Sequence, residues 1–561
     1  MFKLNRQHFY LLIIISIIMI PNILLIAVGE DSVVASNIKK IVYFLFSLSF
    51  VIIPLLFIKP KYYSWLSFLL LPFIIFELYN IYVFKAPSSE EAIAAIFYTN
   101  SYEGNELLKG NLIYVVIITI ILIIQIFASI KIKLNFKLFK SQKILLLIFF
   151  ISTSSIILIR DYIIASKLEK DTNLSRKLDL STSLYYNKLH KLFPSDNFIK
   201  LVKVRKGFRS IKNYNKTISD FKFNSSKKDT LKQDEIYVFV IGETARKINF
   251  GLYNYPRNTT PLLSKQKNLT VFNDVLSSAN LTSISIAHLL TRATPNNDDI
   301  KLTEPAITNA FKEAGFKTYW LTNQAAGLDN VFAFYSRLSD DYKNIAVSID
   351  VAKYDEELFP HFDKILADKS SNKKFIIIHT IGSHFRYNFR YPDKFEKFKP
   401  TLSKSLSISG NSVKLKQETI NSYDNTILYT DYFLSEVISK LEKTNTISYM
   451  YYISDHGENL YDDKNELLMH GFLNPTKYET EIPLILWNSN KYIKQYPDKT
   501  AYLNLRKNSK ISSVNTFHTL LDLSNITYKE EDLKHSFINK QFDSLQTRYL
   551  LSTDKRVLKL D

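Results

Sequence analysis

The chain has no cysteine among its 561 residues. That excludes disulfides, thiolate metal ligands and a cysteine nucleophile together. A metal site must then be built from His, Asp, Glu and hydroxyl groups, harder ligands compatible with zinc, manganese or magnesium. The absence does not fix a compartment, because a protein outside the cytoplasm can do without disulfides. There is no internal repeat and no low-complexity tract. Nor is there a compact basic-aromatic module, although 72 basic residues outnumber 53 acidic ones and leave a net charge of +19. The basic residues are scattered, so the expected partner is not nucleic acid. Attraction to anionic lipid headgroups, or plain lysine-rich composition, accounts for the charge more simply.

What the chain does have is strong segregation. The part before Arg160 is apolar and the rest is ordinary and lysine-rich. A length of 561 residues accommodates several domains, or one large domain and a membrane region. Five apolar runs reach or approach bilayer length: residues 10–28, 41–58, 65–84, 112–130 and 144–159. Lys3 and Arg6 precede the first as they would a signal sequence, but the run exceeds a signal core and more runs follow. The fifth is interrupted by Ser-Thr-Ser-Ser at 152–155. Lys3, Arg6, Lys59, Lys61, Lys131, Lys133, Lys137, Lys140 and Lys143 fall on one side of the five spans. The other side mixes four lysines with Glu30, Asp31, Glu90, Glu91, Glu103 and Glu106. The positive-inside rule places the N-terminus in the cytoplasm and, with five spans, everything after Arg160 across the membrane. One span fewer would reverse that.

Residues 86–110 are too polar to cross. Within them, residues 92–98 offer an apolar helical face, and Thr99 and Glu103, four apart, fall on one face of a helix. A solvated loop is the plainer reading of the same residues. Residues 161–234 alternate charged and apolar positions, and 165–193 has helical spacing. This predicts an amphipathic linker on the membrane surface, or an ordinary linker helix. From residue 235 to 561 short apolar runs alternate with helical stretches. Runs at 236–241, 318–321, 374–378, 448–453 and 483–487 predict strands; 304–314, 419–441 and 514–523 predict helices. The alternation predicts an α/β sandwich around a mostly parallel sheet.

Glu243 follows the first of these strands and the pair Asp455-His456 follows the fourth. In α/β folds the crevice beyond the carboxyl ends of the strands holds the chemistry. Two strands ending in potential ligands therefore predict a metal site assembled from distant segments, against the simpler reading of SDHG as a capped turn. Thr282 and Ser283 open a helical stretch, where a hydroxyl serves either as an N-cap or as a metal-activated nucleophile. His379 and His384 bracket residues 380–383 after the strand at 374–378, and His384 and His470 both follow segments that end near the same sheet edge, although a lone histidine is more often structural. His288, His361, His518 and His535 have no motif around them and read as structural or surface residues.

At these residues the chain resembles the phosphoethanolamine transferases that modify lipopolysaccharide in Gram-negative bacteria. Those are five-span inner-membrane proteins with a periplasmic sulfatase-like domain of the alkaline phosphatase superfamily. The resemblance rests on Gly242-Glu243-Thr244-Ala245-Arg246, Tyr255-Pro256-Arg257-Asn258-Thr259, the Thr282 segment, Trp320 to Gln324, His379 to His384, Ser454-Asp455-His456-Gly457-Glu458 and His470-Gly471, in the family's order. It implies an N-terminal α-helical transmembrane bundle of five spans (residues 1–160) and a C-terminal α/β sulfatase-like domain in the periplasm (residues 235–561). It also implies one tightly held zinc on Glu243, Thr282, Asp455 and His456, with Thr282 as nucleophile. His384 and His470 would bind a second zinc or the phosphoryl group. Thr99, Glu103, Asn323 and Gln324 would contact substrate. The implied donor is phosphatidylethanolamine, the acceptor a lipopolysaccharide core sugar, lipid A or another envelope glycan, and the enzyme a monomer among membrane lipids.

The chain departs from the family in places. Asn280-Leu281 stand where familiar members have Cys-Gly, Ala325 and Leu328 where colistin-resistance members carry Ser and Lys, and Ala95 where an Asn is usual. These changes bear on acceptor identity and leave the ligands intact. A phosphoglycerol transferase resembling lipoteichoic acid synthases shares the plan, but typically follows the metal Glu with Ser and an aromatic residue. An inert membrane scaffold would have lost ligands that are all present here.

Overall fold

The computed structural model describes residues 5–28, 37–84, 87–88, 93, 112–168, 174–189, 193–231, 233–324, 331–346, 353–403, 413–462, 464, 466–472, 474–552 and 555–561. The chain divides into two compact units, Met1–Lys206 and Gly207–Lys404 with Ile408–Asp561.

The first unit is helical. Helices α1 (Arg6–Val28), α2 (Asn37–Ile52), α3 (Pro60–Leu66), α4 (Leu71–Phe84), α5 (Leu112–Lys131) and α6 (Lys140–Leu168) carry the apolar runs. On α1, Leu11, Ile14 and Ile18 recur at spacings of three and four and bury one stripe, together with Ile74 and Leu78 of α4 and Ala128 of α5. Helix α6 instead exposes Ile144, Ile148, Ile151, Ile156 and Ile159, an exterior suited to lipid rather than water. Among the described residues, three stretches are long and apolar enough to cross a membrane: Arg6–Ala27, Pro60–Ile81 and Lys140–Ser166. Ile41–Leu56 and Val116–Lys131 are shorter apolar helices. All five expected runs are thus helical, the third entered early at Pro60 and passing through a 3-10 turn at Ser67–Leu70. The linker reads differently from one helix over 165–193. Helix α6 continues to Leu168, α7 is a separate helix (Leu174–Leu189) and α8 follows (Ser195–Thr217). Thr99 and Glu103 lie outside the described residues.

The second unit is built on a seven-stranded sheet. Its strands are β1 (Glu235–Gly242), β2 (Leu269–Phe272), β3 (Lys317–Thr322), β4 (Asp341–Asn344), β5 (Lys373–His379), β6 (Ile447–Ser454) and β7 (Leu484–Asn488). Their order across the sheet is β2-β7-β6-β1-β5-β3-β4. β1 pairs in parallel with β5 and β6, and β3 with β5 and β4, while β7 runs antiparallel to both its neighbours. Every residue of β1 and β6 is buried. Strands covered on both faces read as continuous apolar runs, and that is why the sequence announced them. One face packs Val238, Val240, Ile376, Ile378, Met450 and Tyr452 against helices α12 (Phe359–Ala367) and α13 (Lys416–Thr444). The other stacks Tyr237 on Tyr449 with ring centroids 4.5 Å apart, and Phe375 on Phe311 of helix α10 (Ile307–Glu313).

The register fixes where chemistry can occur. Gly242 pairs with Ser454, and Ile241 with both His379 and Ile453. Strands β1, β5 and β6 therefore end at one level, bringing Glu243, residues 380–384 and Asp455-His456 to a common edge.

Candidate metal centre

Glu243, Asp455 and His456 are buried side by side, with ligand atoms within 4.8 Å of one another. Asp455 accepts the backbone N–H groups of Thr244 (2.9 Å) and His456 (2.7 Å) on Oδ1. Its Oδ2 is buried without a hydrogen-bond partner. His456 Nδ1 lies 2.9 Å from the Gly457 carbonyl. With the proton on Nδ1, an unprotonated Nε2 is presented 3.2 Å from Asp455 Oδ2 and 3.7 Å from Glu243 Oε1. Burial, then the neighbouring His470, drives the His456 pKa well down and keeps the ring neutral. Burial raises the carboxyl pKa values of Glu243 and Asp455, the latter further through the charge of Glu243. Two desolvated carboxylates facing a neutral imidazole nitrogen form a pocket that a cation would relieve.

The fourth donor arrives on helix α9 (Thr282–Leu290). Leu281 occupies the N-cap position and makes no side-chain capping bond. The Thr282 hydroxyl is instead directed at the centre, 3.2 Å from both Glu243 Oε1 and His456 Nε2. The helix is held there by Ser285 Oγ, which donates to the Asp455 carbonyl at 2.5 Å, as does Ser277 Oγ just ahead of it. Zinc bonded to oxygen and nitrogen at about 2.0–2.2 Å in a tetrahedron requires donors roughly 3.3–3.6 Å apart. The donor separations of 3.2–3.7 Å and the orphaned Asp455 Oδ2 fit that ion.

Other residues hold these donors in place. Gln324 Nε2 donates to Glu243 Oε2 (2.9 Å) and to the Thr380 carbonyl (2.8 Å). Thr244, with φ of 59°, is a β-branched residue in the left-handed region, and its hydroxyl donates to Glu243 Oε1 at 2.7 Å. Such strain is typical of positions that the surrounding structure over-determines. A Cβ on Gly457 would meet the Tyr478 carbonyl oxygen at 2.1 Å, and one on Gly382 (φ 48°) would meet the Glu243 oxygen at 2.9 Å. Backbone packs against backbone at both turns, so glycine is required.

His470 stacks near His456 with ring centroids 4.0 Å apart, and its Nδ1 pairs with Glu458 Oε2 at 2.8 Å. Burial lowers its pKa, but Glu458, Glu243 and Asp455 outweigh that and raise it to about 9. His384 is held lower, at about 3, by burial and then by Arg390. Asn323 is fully buried and donates to the Lys353 carbonyl and to Asp355. His379 lies inside the fold between Trp320 and Phe332 of helix α11 (Val331–Ser336).

Three contributors went unassigned in the sequence. Asp355 accepts the N–H groups of Ile381 (2.9 Å) and Gly382 (3.0 Å) and so clamps the loop carrying His384. Glu458, two residues after the candidate ligand His456, bridges Tyr387 and His470. Glu479 accepts the Asn280 amide and the Gly471 N–H, both at 2.8 Å, joining the segment before Thr282 to the one carrying His470. An acid beside SDHG was a usable signal for Glu458; the other two had none.

Comparison with known proteins agrees with this layout. The family model described as Sulfatase matches residues 235–526, just over half of the chain. The chain is 33% identical over 333 residues to phosphoethanolamine transferase EptC of Escherichia coli (strain K12), covering 58% of this chain and 56% of that protein. It is 31% identical over 288 residues to the Kdo(2)-lipid A phosphoethanolamine 7''-transferase of the same strain, covering 49% and 48%. The match spans about half the length of these curated relatives. Among solved structures, the C-terminal periplasmic domain of EptC from Escherichia coli in complex with Zn superposes with a TM-score of 0.53 at 32% identity, covering 58% of this chain and 92% of that one. Because that family model matches more than half of its length, the chain belongs to the sulfatase family.

Proposed function

We propose that the chain is a zinc-dependent phosphoethanolamine transferase. It takes phosphoethanolamine from phosphatidylethanolamine and passes it to a lipopolysaccharide core sugar, lipid A or another envelope glycan. The observation carrying this reading is the Thr282 hydroxyl, 3.2 Å from two of the three buried candidate ligands, beside a third, Asp455, whose Oδ2 has no hydrogen-bond partner. Glu243, Thr282, Asp455 and His456 would hold the zinc. When bound, it lowers the pKa of the hydroxyl and neutralises charge on the phosphoryl oxygens.

Thr282 Oγ1 attacks phosphorus as the bond to the diacylglycerol oxygen breaks, and the proton it gives up ends on that oxygen. The product is a phosphothreonine diester bearing ethanolamine. In the second step an acceptor hydroxyl attacks the same phosphorus, its proton returns to Thr282, and the phosphoethanolamine leaves on the acceptor. Dividing the transfer lets two bulky lipids use the site in turn. The free N–H groups at the start of α9 and the dipole of that helix favour the phosphoryl charge. His384 and His470 face the same charge, directly or through a second zinc. Gln324 keeps Glu243 aimed, and Asn323 steadies Asp355.

The five apolar runs are read as five spans, with the N-terminus cytoplasmic and the sulfatase-like unit periplasmic. Support for these finer points comes from the relatives named phosphoethanolamine transferases and from the lysine bias of the loops. Mass spectrometry of lipopolysaccharide from a Gram-negative host with and without the protein tests the reading. A gain of one phosphoethanolamine on core or lipid A supports it; an unchanged lipopolysaccharide and glycan profile overturns it.

A further inference from the structure

A second histidine pair lies at the opposite end of helix α9. Beyond Thr291, where the helix ends, a cavity of about 320 Å³ is lined by Arg292, Thr294, Glu304, His518, Glu530, Asp532 and His535, with Ile300 and Val514. His518 sits on helix α14 (Asn515–Leu523) and His535 closes the turn Leu533–His535. Their ring centroids are 5.4 Å apart, with planes inclined at 35°. Two imidazoles bound to one ion at about 2.0–2.1 Å per nitrogen, with a tetrahedral spread, place their centroids about 5 Å apart.

Each ring is held from behind through Nδ1. His518 Nδ1 lies 2.7 Å from the Tyr528 hydroxyl, and His535 Nδ1 lies 2.8 Å from Asp532 Oδ2. When Nδ1–H donates to these oxygens, both Nε2 atoms carry lone pairs, the arrangement that fixes metal-ligating histidines elsewhere. Tyr528 is itself anchored by the Asp532 N–H. Burial drives the pKa of His518 down to about 3, aided by His535, so that ring is neutral at physiological pH. The charge is also suitable. Three carboxylates, Glu304, Glu530 and Asp532, face the cavity against one guanidinium, Arg292, which is already bonded to Glu304 (2.7 Å) and Glu530 (2.9 Å). The surplus is negative. Imidazole donors suit zinc, copper or nickel rather than magnesium or calcium.

We infer that His518 and His535 form a second divalent-metal site, separate from the catalytic one, in which both imidazoles bind a zinc-like ion through Nε2 and water from the cavity completes the coordination. The ion would join the turn at Leu533–His535 to helix α14 at the C-terminal end of α9, where the helix dipole also favours a cation.

The test uses the full chain in detergent, stripped of metal, re-equilibrated with Zn2+ and analysed for bound zinc. Wild type is expected to retain one equivalent more than the His518→Ala/His535→Ala double variant, and both to transfer phosphoethanolamine at the same rate. Equal zinc content would overturn the proposal. Because α14 is packed into the fold and the double variant could misfold, a second measurement uses wild type alone. Diethyl pyrocarbonate modification of His518 and His535, mapped by peptide mass, should fall several-fold when Zn2+ is present. Unchanged modification of both would overturn the proposal.

Discussion

Helix α9 has a histidine-bearing site at each end, and the two are built on different plans. At its N-terminus the donors come from three segments far apart in the chain, at 243, 282 and 455–456, and meet because three parallel strands end at one level. The carboxylates there are 0–1% exposed. At its C-terminus both histidines come from one stretch near the end of the chain, and the Asp532 and His535 side chains are each 43% exposed. The difference concerns what the protein must do without metal. Adjacent buried carboxylates repel and are desolvated, so the first site is energetically incomplete when empty. Water can serve the open second site, and folding does not depend on filling it.

Five substitutions would break or sharpen that contrast. The largest effect belongs to Thr282→Ala. Removing the proposed nucleophile should lower phosphoethanolamine transfer by roughly 10^3-fold or more and abolish the covalent adduct in intact-protein mass spectra. Full transfer by this variant would mean that another group attacks phosphorus.

Asp455→Asn tests the claim of incompleteness. At zinc about a thousand times its dissociation constant, binding adds about 4 kcal/mol to the folded state. The variant should lose most of the zinc-dependent rise in unfolding midpoint. Without metal it should be at least as stable as wild type, because one of two neighbouring buried charges is gone. An undiminished zinc response would remove Asp455 from the ligand set. Glu458→Gln acts more gently. It keeps the volume beside Tyr387 but removes the charge partner of His470. Transfer should fall about 10–100-fold, as for other outer partners of a metal site, with zinc content at the primary site unchanged.

The contrast also marks what the sequence could disclose. The five central strands were legible because burial on both faces writes them as apolar runs, and the candidate ligands stood out because they follow those runs directly. The edge strands β2 and β4 were not. Residues 269–272 are only half buried and 341–344 read Asp-Tyr-Lys-Asn, polar because an edge faces water. Thr282 offered two readings until the fold put Leu281 at the cap and aimed the hydroxyl at Glu243. Asp355 acts through partners 26–27 residues away and Glu479 ties Gly471 to Asn280, 199 residues before it in sequence, and no local pattern records such long-range contacts. His518 and His535, 17 positions apart, match no ligand spacing. The turn between them decides that their rings meet.

The smallest effect, and the most discriminating for the second site, is expected from Tyr528→Phe. The ring of Tyr528 packs near Phe517 and His518, so phenylalanine should preserve those apolar contacts. What it removes is the oxygen 2.7 Å from His518 Nδ1. Without that acceptor, the tautomer with Nδ1–H loses its hydrogen bond, and the lone pair on Nε2 is no longer fixed. If the site binds metal, zinc affinity there should fall about tenfold, read by calorimetric titration of the metal-stripped chain, while transfer and the catalytic zinc stay as in wild type. If His518 and Tyr528 are merely a packed pair, the titration curve will not move. The same substitution made at Tyr387, the counterpart held by Glu458 at the other end of α9, should reduce transfer, because there the outer hydrogen bond supports chemistry as well as a fold.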